Sequence, residues 1–574
     1  MKNLFLLITL VLFVSCSKET TQTTSTPQPK KKFSITTSVS PSEGGSISPD
    51  GGQFTEGQSV SFTANPSEFF QFSNWSGLDD SSNNPITISI LNNGTLNAVF
   101  EKMDSDGDGI TDDIDQCPET PEGEDVNENG CSNSQIDTDN DGVTDNIDQC
   151  PNSIEGVTVN SSGCEIPLQI DSNGILKALP EAQIGERYEF DGKEYLIVDN
   201  QTLRNLIETG QDYSLAVTTN VTLMTQLFWN FSSELKDISS WDTSNVISMA
   251  GLFGYPESQF QLPDISKWDV SSVTDFSAMF YGADLNGIDL SQWDTQNAET
   301  LKDMFKGTLV DMDLSNWNVS NVSNMSGTFD QSTVSSDISN WNTSNVTDMS
   351  YMFRLSDFNG DIGMWDVSNV ESMSSMFLQS NFNSNLNDWD TSSLQDVGSM
   401  FKGSSFNKPI GNWKMTKVNS LFEMFYDTPF NQDISQWDTS NVVDLSWTFI
   451  GSEFNQDINN WNVGKVEDFS NCFAVSQFDQ PLSNWNIGEE INEGNVIINM
   501  NNMFYRTSFN QDISNWDTSK VRYMNSMFEE AGRFNQDLSS WNVSNIDNNG
   551  CNRFSYLAVE WSLPKPNFQN CTMD

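Results

Sequence analysis

Two short stretches carry the most explicit chemistry in the chain, DSDGDGITDDIDQCP beginning at Asp104 and DTDNDGVTDNIDQCP beginning at Asp137. In the first, Asp104, Asp106 and Asp108 stand at positions 1, 3 and 5, Gly109 at 6, Asp112 at 9 and Asp115 at 12, and Ile110 can offer its carbonyl at 7. The second repeats the pattern with Asp137, Asp139, Asp141, Gly142, Val143, Asp145 and Asp148. Alternate carboxylates on a tightly turning chain converge on one hard cation. Ca²⁺ accepts about six to eight oxygens in flexible geometry, whereas Mg²⁺ is stricter, so Ca²⁺ is the expected cofactor. The glycine permits the turn. Residues 103 to 165 hold 18 acidic side chains and no Lys or Arg, so internal pairing cannot relieve the repulsion; a bound divalent ion can.

Each acidic loop runs into a cysteine pair, Cys117 with Cys131 and Cys150 with Cys164, and the two pairs are equally spaced. In an exported chain this matched spacing reads as two local disulfides. Carboxylate spacing and cysteine placement together resemble the thrombospondin type 3 repeat, in the form bacteria use as a stalk between domains. Asp at position 12, where an EF-hand has Glu, favours that family. The resemblance implies a mechanical role, with Ca²⁺ stiffening a spacer that is floppy without it.

The element this stalk would present is a long repeat. FNGDIGMWDVSNVESMSSMF, residues 358 to 377, is restated from about Asn220 to Phe554. Thirteen copies carry a tryptophan, and from Trp293 to Trp485 these recur at one constant interval, as Trp341, Trp365 and Trp389 show. A fixed period within the range of roughly 20–50 residues marks a solenoid in which each unit buries its face only against its neighbours. The Trp and the residue two further on, as in Trp365 and Val367, alternate as in a short strand. Val370, Met373, Met376 and Phe377 then have the spacing of a short helix face, and Ser368 with Glu371 that of a capping box. Each repeat therefore reads as strand, cap, helix and return loop. The expected architecture is a multidomain chain whose largest part is an α/β leucine-rich-repeat-like solenoid of about 13 repeats, preceded by a small β module and the calcium-binding stalk.

The recurring Trp, Val, Met and Phe in register resemble the BspA-like leucine-rich-repeat surface proteins, in the W-D-x-S-x-V-x-x-M-x-x-M-F branch of bacterial surface lipoproteins. That resemblance implies a surface-exposed, non-enzymatic binding or adhesion protein. Two departures stand out. Trp485 is followed by its Phe504 after a longer stretch than separates Trp365 from Phe377, so a loop around Glu489 to Asn495 is expected to bulge, and Lys414 replaces the usual Asp or Asn after the Trp. Asp242, Asp269 and Asp294 follow successive tryptophans, and stacking is expected to align such residues in an exposed polar ladder.

Residues 33 to 102 alternate apolar and polar with Gly and Pro turns, the pattern of a small, mostly antiparallel β domain with Trp75 in its core. GGSISPDGGQFTEGQSVSFTA, NWSG and AVFEK resemble the InlB B-repeat-like module, which implies a spacer. Residues 166 to 219, with YEFDGKEYLIV and QTLRNLIETG, read as an N-terminal cap for the solenoid at 220 to 550. Residues 551 to 574 read as a C-terminal cap, which Cys551 and Cys571 could close by a disulfide. Cys472 stands where most repeats have Met and reads as a buried free thiol.

Residues 1 to 15 combine Lys2 with the apolar run Leu4 to Val14, the form of a signal peptide. The ending FVSC resembles a bacterial lipobox, which implies that Cys16 carries a lipid and that residues 16 to 32 are a tether. Outer-membrane, cell-surface localisation follows from that resemblance, with the membrane engaged through the anchor. The formal net charge of -54 argues against nucleic acid as a partner. With no histidine in the chain, Ser-His-Asp and Cys-His catalysis is excluded, and no acidic pair stands apart from the periodicity, so no enzyme is expected. The expected partner is a protein on another surface, with glycan capture as the alternative and polysaccharide cleavage a distant third.

Overall fold

The computed structural model describes residues 28 to 255, 261 to 491, 497 to 569 and 571. Residues 1 to 15 and Cys16 lie outside that range, as do residues 492 to 495 of the loop expected after Trp485. The chain falls into two compact units, Met1–Glu155 and Gly156–Asp574. Among the described residues no helix is long and apolar enough to cross a membrane.

In the first unit the alternating stretches form seven strands: β1 (Lys32–Ser40), β2 (Gly45–Ser48), β3 (Gly52–Thr55), β4 (Ser59–Pro66), β5 (Phe70–Gly77), β6 (Ile86–Ser89) and β7 (Gly94–Lys102). They build one sheet in the order β3-β1-β7-β5 and another in the order β2-β4-β6. All pairings are antiparallel except β1 with β7. Alternation places Phe62, Trp75, Leu96 and Ala98 in the core, fully buried. The Trp75 indole N–H is satisfied by the Asn83 carbonyl at 2.9 Å, so this tryptophan is a core residue.

The second unit opens with the hairpin β8 (Leu168–Ile170) and β9 (Leu176–Ala178). Next come β10 (Arg187–Phe190), β11 (Lys193–Asp199), α1 (Asn200–Glu208) and β12 (Ala216–Asn220), with β12 parallel to β11. The Asp199 carboxylate caps α1 by accepting the Thr202 N–H at 2.8 Å. Single-residue parallel bridges then carry the pairing from repeat to repeat, from Leu223 to Ser248, Asp275, Thr300, Asn324, Asp348, Ser372 and Asp396, and again from Ser420 to Asp444, Asp468 and Asn499. Two pairs of short parallel strands, β13 (Leu309–Val310) with β14 (Thr333–Val334) and β15 (Ile498–Asn499) with β16 (Val521–Tyr523), supplement them.

The helix expected in every repeat does not form, and α1 is the single helix among the described residues. The segment holding Met349 and Phe353 is instead a run of turns. Met352, Arg354 and Ser356 donate to the carbonyls three residues back, while Met349, Tyr351, Phe353 and Leu355 donate to Ser372, Ser374, Met376 and Leu378 of the next coil at 2.8 to 2.9 Å. Three-residue turns produce the apolar spacing that a helix face would, which is why the pattern reads as either. Ser368 likewise starts no helix, since its N–H and hydroxyl both donate to Asp366, at 3.0 and 2.7 Å. The strand expected at the Trp is also absent; the bridging residue lies further on, at Ser372 for Trp365.

Such turns need a left-handed residue, and each regular coil has two. Tyr351 and Leu355 have φ of 59° and 55°, Ser375 and Gln379 have 55° and 52°, and Asn471 and Val475 have 58° and 57°. A β-branched residue there is strained by about 1–2 kcal/mol. Val475→Gly is therefore expected to stabilise the protein by about 1 kcal/mol, read as a raised urea midpoint at unchanged slope.

Repeated side chains hold the coils to one another. All thirteen repeat tryptophans donate their indole N–H to a backbone carbonyl 27 to 34 residues earlier. Their rings stack, as in Trp341 on Trp365 at 6.4 Å and 5°. Phe353, Phe377 and Phe401 form a second column, at 5.8 and 5.7 Å. The Asn359, Asn383, Asn407 and Asn431 side chains each accept the N–H of the matching residue in the next coil at 2.8 to 3.0 Å. This asparagine ladder satisfies the turn backbone where no strand does.

The residues directly after the tryptophans do not form the uniform exposed ladder expected of them. Asp242 is buried beneath Lys177 of β9, 3.4 Å away, whereas Asp269 and Asp294 are exposed. The ion pair with Lys177 and the burial that goes with it set Asp242 apart. These carboxylates, and those four residues before the Trp, close turns on the residue two further on. The Ser239 hydroxyl and N–H hold Asp237 below the ordinary aspartate value of 3.8, and the N–H and hydroxyl of Ser435 and Ser514 do the same for Asp433 and Asp512. A pKa lowered by folding contributes stability that is complete above 3.8 and is lost as pH falls through the lower native value. The second unit is therefore expected to lose stability progressively on acidification below pH 3.8, followed by tryptophan fluorescence across a pH series.

Candidate metal centre

The two acidic loops fold as the carboxylate spacing requires. Gly109 and Gly142, at position 6, have φ of 97° and 93°, which turns the chain back on its own carboxylates. Asp104 accepts the N–H groups of Gly107 and Gly109 at 2.8 and 3.1 Å, and Asp137 those of Asp141 and Gly142 at 3.2 and 2.8 Å. Asp108 and Asp141 each accept the N–H two residues on, from Ile110 and Val143, at 2.8 Å. The result is two triads, Asp104 with Asp106 and Asp108, and Asp137 with Asp139 and Asp141. In each, one carboxylate oxygen per residue lies within 4.8 Å of the others.

The remaining expected ligands fall into two groups. Asp115 approaches Asp108 across Gly130, where a Cβ would lie 1.9 Å from one Asp115 oxygen and 3.3 Å from one Asp108 oxygen; with φ of 81°, that position suits glycine alone. Asp115 and Asp148 also accept the N–H of Cys117 and Cys150 at 2.8 and 2.7 Å, which ties each loop to its cysteine. Asp112 and Asp145 stand outside the triads. Both oxygens of Asp112 are taken by the N–H and hydroxyl of Ser105, at 2.8 and 2.7 Å, and those of Asp145 by Thr138 at 2.9 and 2.7 Å. Through these contacts the two carboxylates fasten the loop. Ile110 and Val143 stand at position 7 with their N–H groups so engaged.

Whether the donor set fits a cation is tested by its unsatisfied atoms. Asp108 Oδ2 and Asp139 Oδ1 are buried side-chain oxygens with no hydrogen-bond partner. A buried carboxylate oxygen left so costs free energy that a cation recovers. The carboxylates fit a hard divalent ion, with one orphaned buried oxygen in each triad. Burial opposes the charge on Asp139, but the N–H and hydroxyl of Ser153 and the N–H of Asp141 outweigh it and hold the carboxyl below its ordinary value.

Two contributors escaped the sequence reading. The Thr120 N–H donates to Asp106 Oδ2 at 2.7 Å, and the Ser153 N–H to Asp139 Oδ2 at 2.6 Å. Thr120 follows Asp104 and Cys117 at the same spacings as Ser153 follows Asp137 and Cys150, a shared register that was the available signal. Cys117 and Cys131 are joined, with Cα atoms 5.1 Å apart, as are Cys551 and Cys571 at 6.1 Å. Cys150 and Cys164 each take part in a disulfide. Cys472 is a buried free thiol whose pKa burial pushes well up.

Family models match three parts of the chain. Residues 35 to 104 match the divergent InlB B-repeat domain, and residues 102 to 125 and 122 to 155 match the thrombospondin type 3 repeat. The third model, described as Mycoplasma protein of unknown function, DUF285, matches residues 200 to 310, 307 to 405, 350 to 449, 404 to 496 and 490 to 555. No curated protein and no solved structure matches the chain. Since the five matches to the third model together run from residue 200 to residue 555, more than half of the 574, the chain belongs to the family described as Mycoplasma protein of unknown function, DUF285.

Proposed function

We propose that this protein is a non-enzymatic, surface-displayed binding or adhesion protein whose ligand is a protein on another surface. In this reading Cys16 carries a lipid that holds the chain at the outer membrane. The β module acts as a spacer, and two Ca²⁺ ions order the acidic segment. Asp104, Asp106, Asp108 and Asp115 would hold one ion and Asp137, Asp139, Asp141 and Asp148 the other, with the carbonyls of Ile110 and Val143 available at position 7. A bound ion supplies positive charge that lets the carboxylates stay ionised side by side. The repeats are read as a solenoid of BspA-like, leucine-rich-repeat type.

The observation that carries this reading is the division of labour within the coil. Trp, Phe and Asn columns join each coil to the next, and the residues outside those columns vary from coil to coil at the surface. A scaffold with a repeated interior and a varied exterior is suited to recognition, as in other stacked-repeat binders.

The test is binding of purified residues 17 to 574 to arrays of extracellular-matrix proteins, cell-surface proteins and glycans, with Ca²⁺ and with chelator. Binding to proteins, weakened by chelator, is the expected result. Binding to glycans alone would transfer the reading to glycan capture, and turnover of a bound glycan would refute the absence of enzymatic activity.

A further inference from the structure

Five large apolar side chains, Tyr255, Tyr351, Leu355, Val475 and Leu557, are between 41% and 53% exposed while their φ angles lie between 54° and 59°. At the corresponding turn positions of other coils stand glycines such as Gly282, Gly307, Gly327, Gly403 and Gly451, with φ of 64° to 69°. Glycine therefore fits this backbone and is used in several coils. A tyrosine, leucine or valine there opposes the backbone preference and also displays apolar surface to water. Neither folding nor solubility is served by both features together, and strain of this kind gathers at recognition sites.

On one side these residues belong to a continuous track across successive coils. The rings of Tyr255 and Tyr281 meet edge to face at 4.5 Å with their hydroxyls 3.2 Å apart. Lys306 lies 4.9 Å from the Tyr281 ring centre and 3.4 Å from Asp330. Arg354 grips the same buried Asp330 through two hydrogen bonds, at 2.8 and 2.6 Å, and covers the Tyr351 ring at 5.2 Å. The cations of the track are thus neutralised from within. Beside it runs the column of bridging residues, with Asp275, Asp348 and Asp396 at least partly exposed and paired with no Lys or Arg among the described residues.

We propose that this turn face is a protein-binding strip, and that its partner presents apolar side chains flanked by basic ones. Tyrosine, arginine and exposed aliphatic groups are the side chains that dominate protein interfaces, and an acidic border selects a basic rim by charge complementarity. A glycan is disfavoured because the rings pack against one another and the cations already have carboxylate partners. A second copy, with the same net charge of -54, is repelled.

This inference rests on the binding reading above, and glycine variants separate the two. Because glycine fits the backbone at these positions, Tyr255→Gly, Tyr351→Gly and Leu355→Gly combined in residues 17 to 574 removes the side chains while the fold stands. The probe is a panel of purified extracellular-matrix and secreted proteins spanning acidic to basic isoelectric points. The proteins bound are expected to be basic, with affinity falling about tenfold or more in the triple variant and the urea midpoint not lowered. Undiminished binding by the variant would overturn the strip and leave the binding reading intact, as would a wild-type preference for acidic proteins or for a second copy. Failure of the wild type to bind any protein would overturn both.

Discussion

Asp108→Ala combined with Asp141→Ala is expected to abolish Ca²⁺-induced protection of residues 103 to 165 from protease. Each substitution removes one carboxylate of a triad, and Asp108 Oδ2 is itself one of the two orphaned buried oxygens of the loops. Without the ion, the remaining carboxylates repel across distances of 4.8 Å or less. With Ca²⁺ about a hundredfold above its dissociation constant, one site adds about 2.7 kcal/mol to the ordered state, so the loss is large. Asp112→Asn is the discriminating control. Its carboxylate is occupied by Ser105 and stands outside the triad, so Ca²⁺ affinity is expected to change far less than in Asp108→Ala. Unchanged protection in the double variant would refute the site, and equal losses from both substitutions would restore Asp112 as a ligand.

Trp413→Ala is expected to cost about 3–5 kcal/mol, the range for removing a large buried aromatic. Trp413 is 2% exposed and its ring stacks on Trp389 at 6.2 Å and 8°, while its indole N–H donates to the Leu386 carbonyl at 2.9 Å. Trp413→Phe keeps much of the packing and leaves that carbonyl the Trp389 N–H at 3.2 Å, so the lost indole hydrogen bond costs about 0.5–1.5 kcal/mol. The damage falls on the contact between the repeats of Trp389 and Trp413. Urea unfolding of the full chain, followed by tryptophan fluorescence, measures both. A loss below about 1 kcal/mol for the alanine variant would show that the phenylalanine column and asparagine ladder suffice without the indoles.

The acidic loops were legible because their chemistry is local. Position, residue type and the turning glycine all lie within one short loop, so Asp104, Asp106 and Asp108 could be placed together before any fold was known. What escaped lay beyond the loop: the N–H groups of Thr120 and Ser153 return to the site after the cysteine. The repeat was legible for the same reason that it was misread. Apolar residues three apart, as at Val370, Met373 and Met376, are buried whether the backbone is a helix or a chain of turns.

By itself the sequence determined the repeat and its period, the buried columns of Trp, Val, Met and Phe, the β module around Trp75 and the carboxylates that converge. These follow from composition and spacing alone, because burial depends on which residues recur and not on how the backbone between them is bonded. Only the tertiary structure decided the backbone. Whether the Phe353 N–H bonds within its own coil or reaches Met376 in the next depends on a neighbour being there to accept it, and that neighbour lies a full coil further along the chain. Partners so distant leave no local signal, and the left-handed turns that display Tyr351 and Leu355 exist only because the stack holds them.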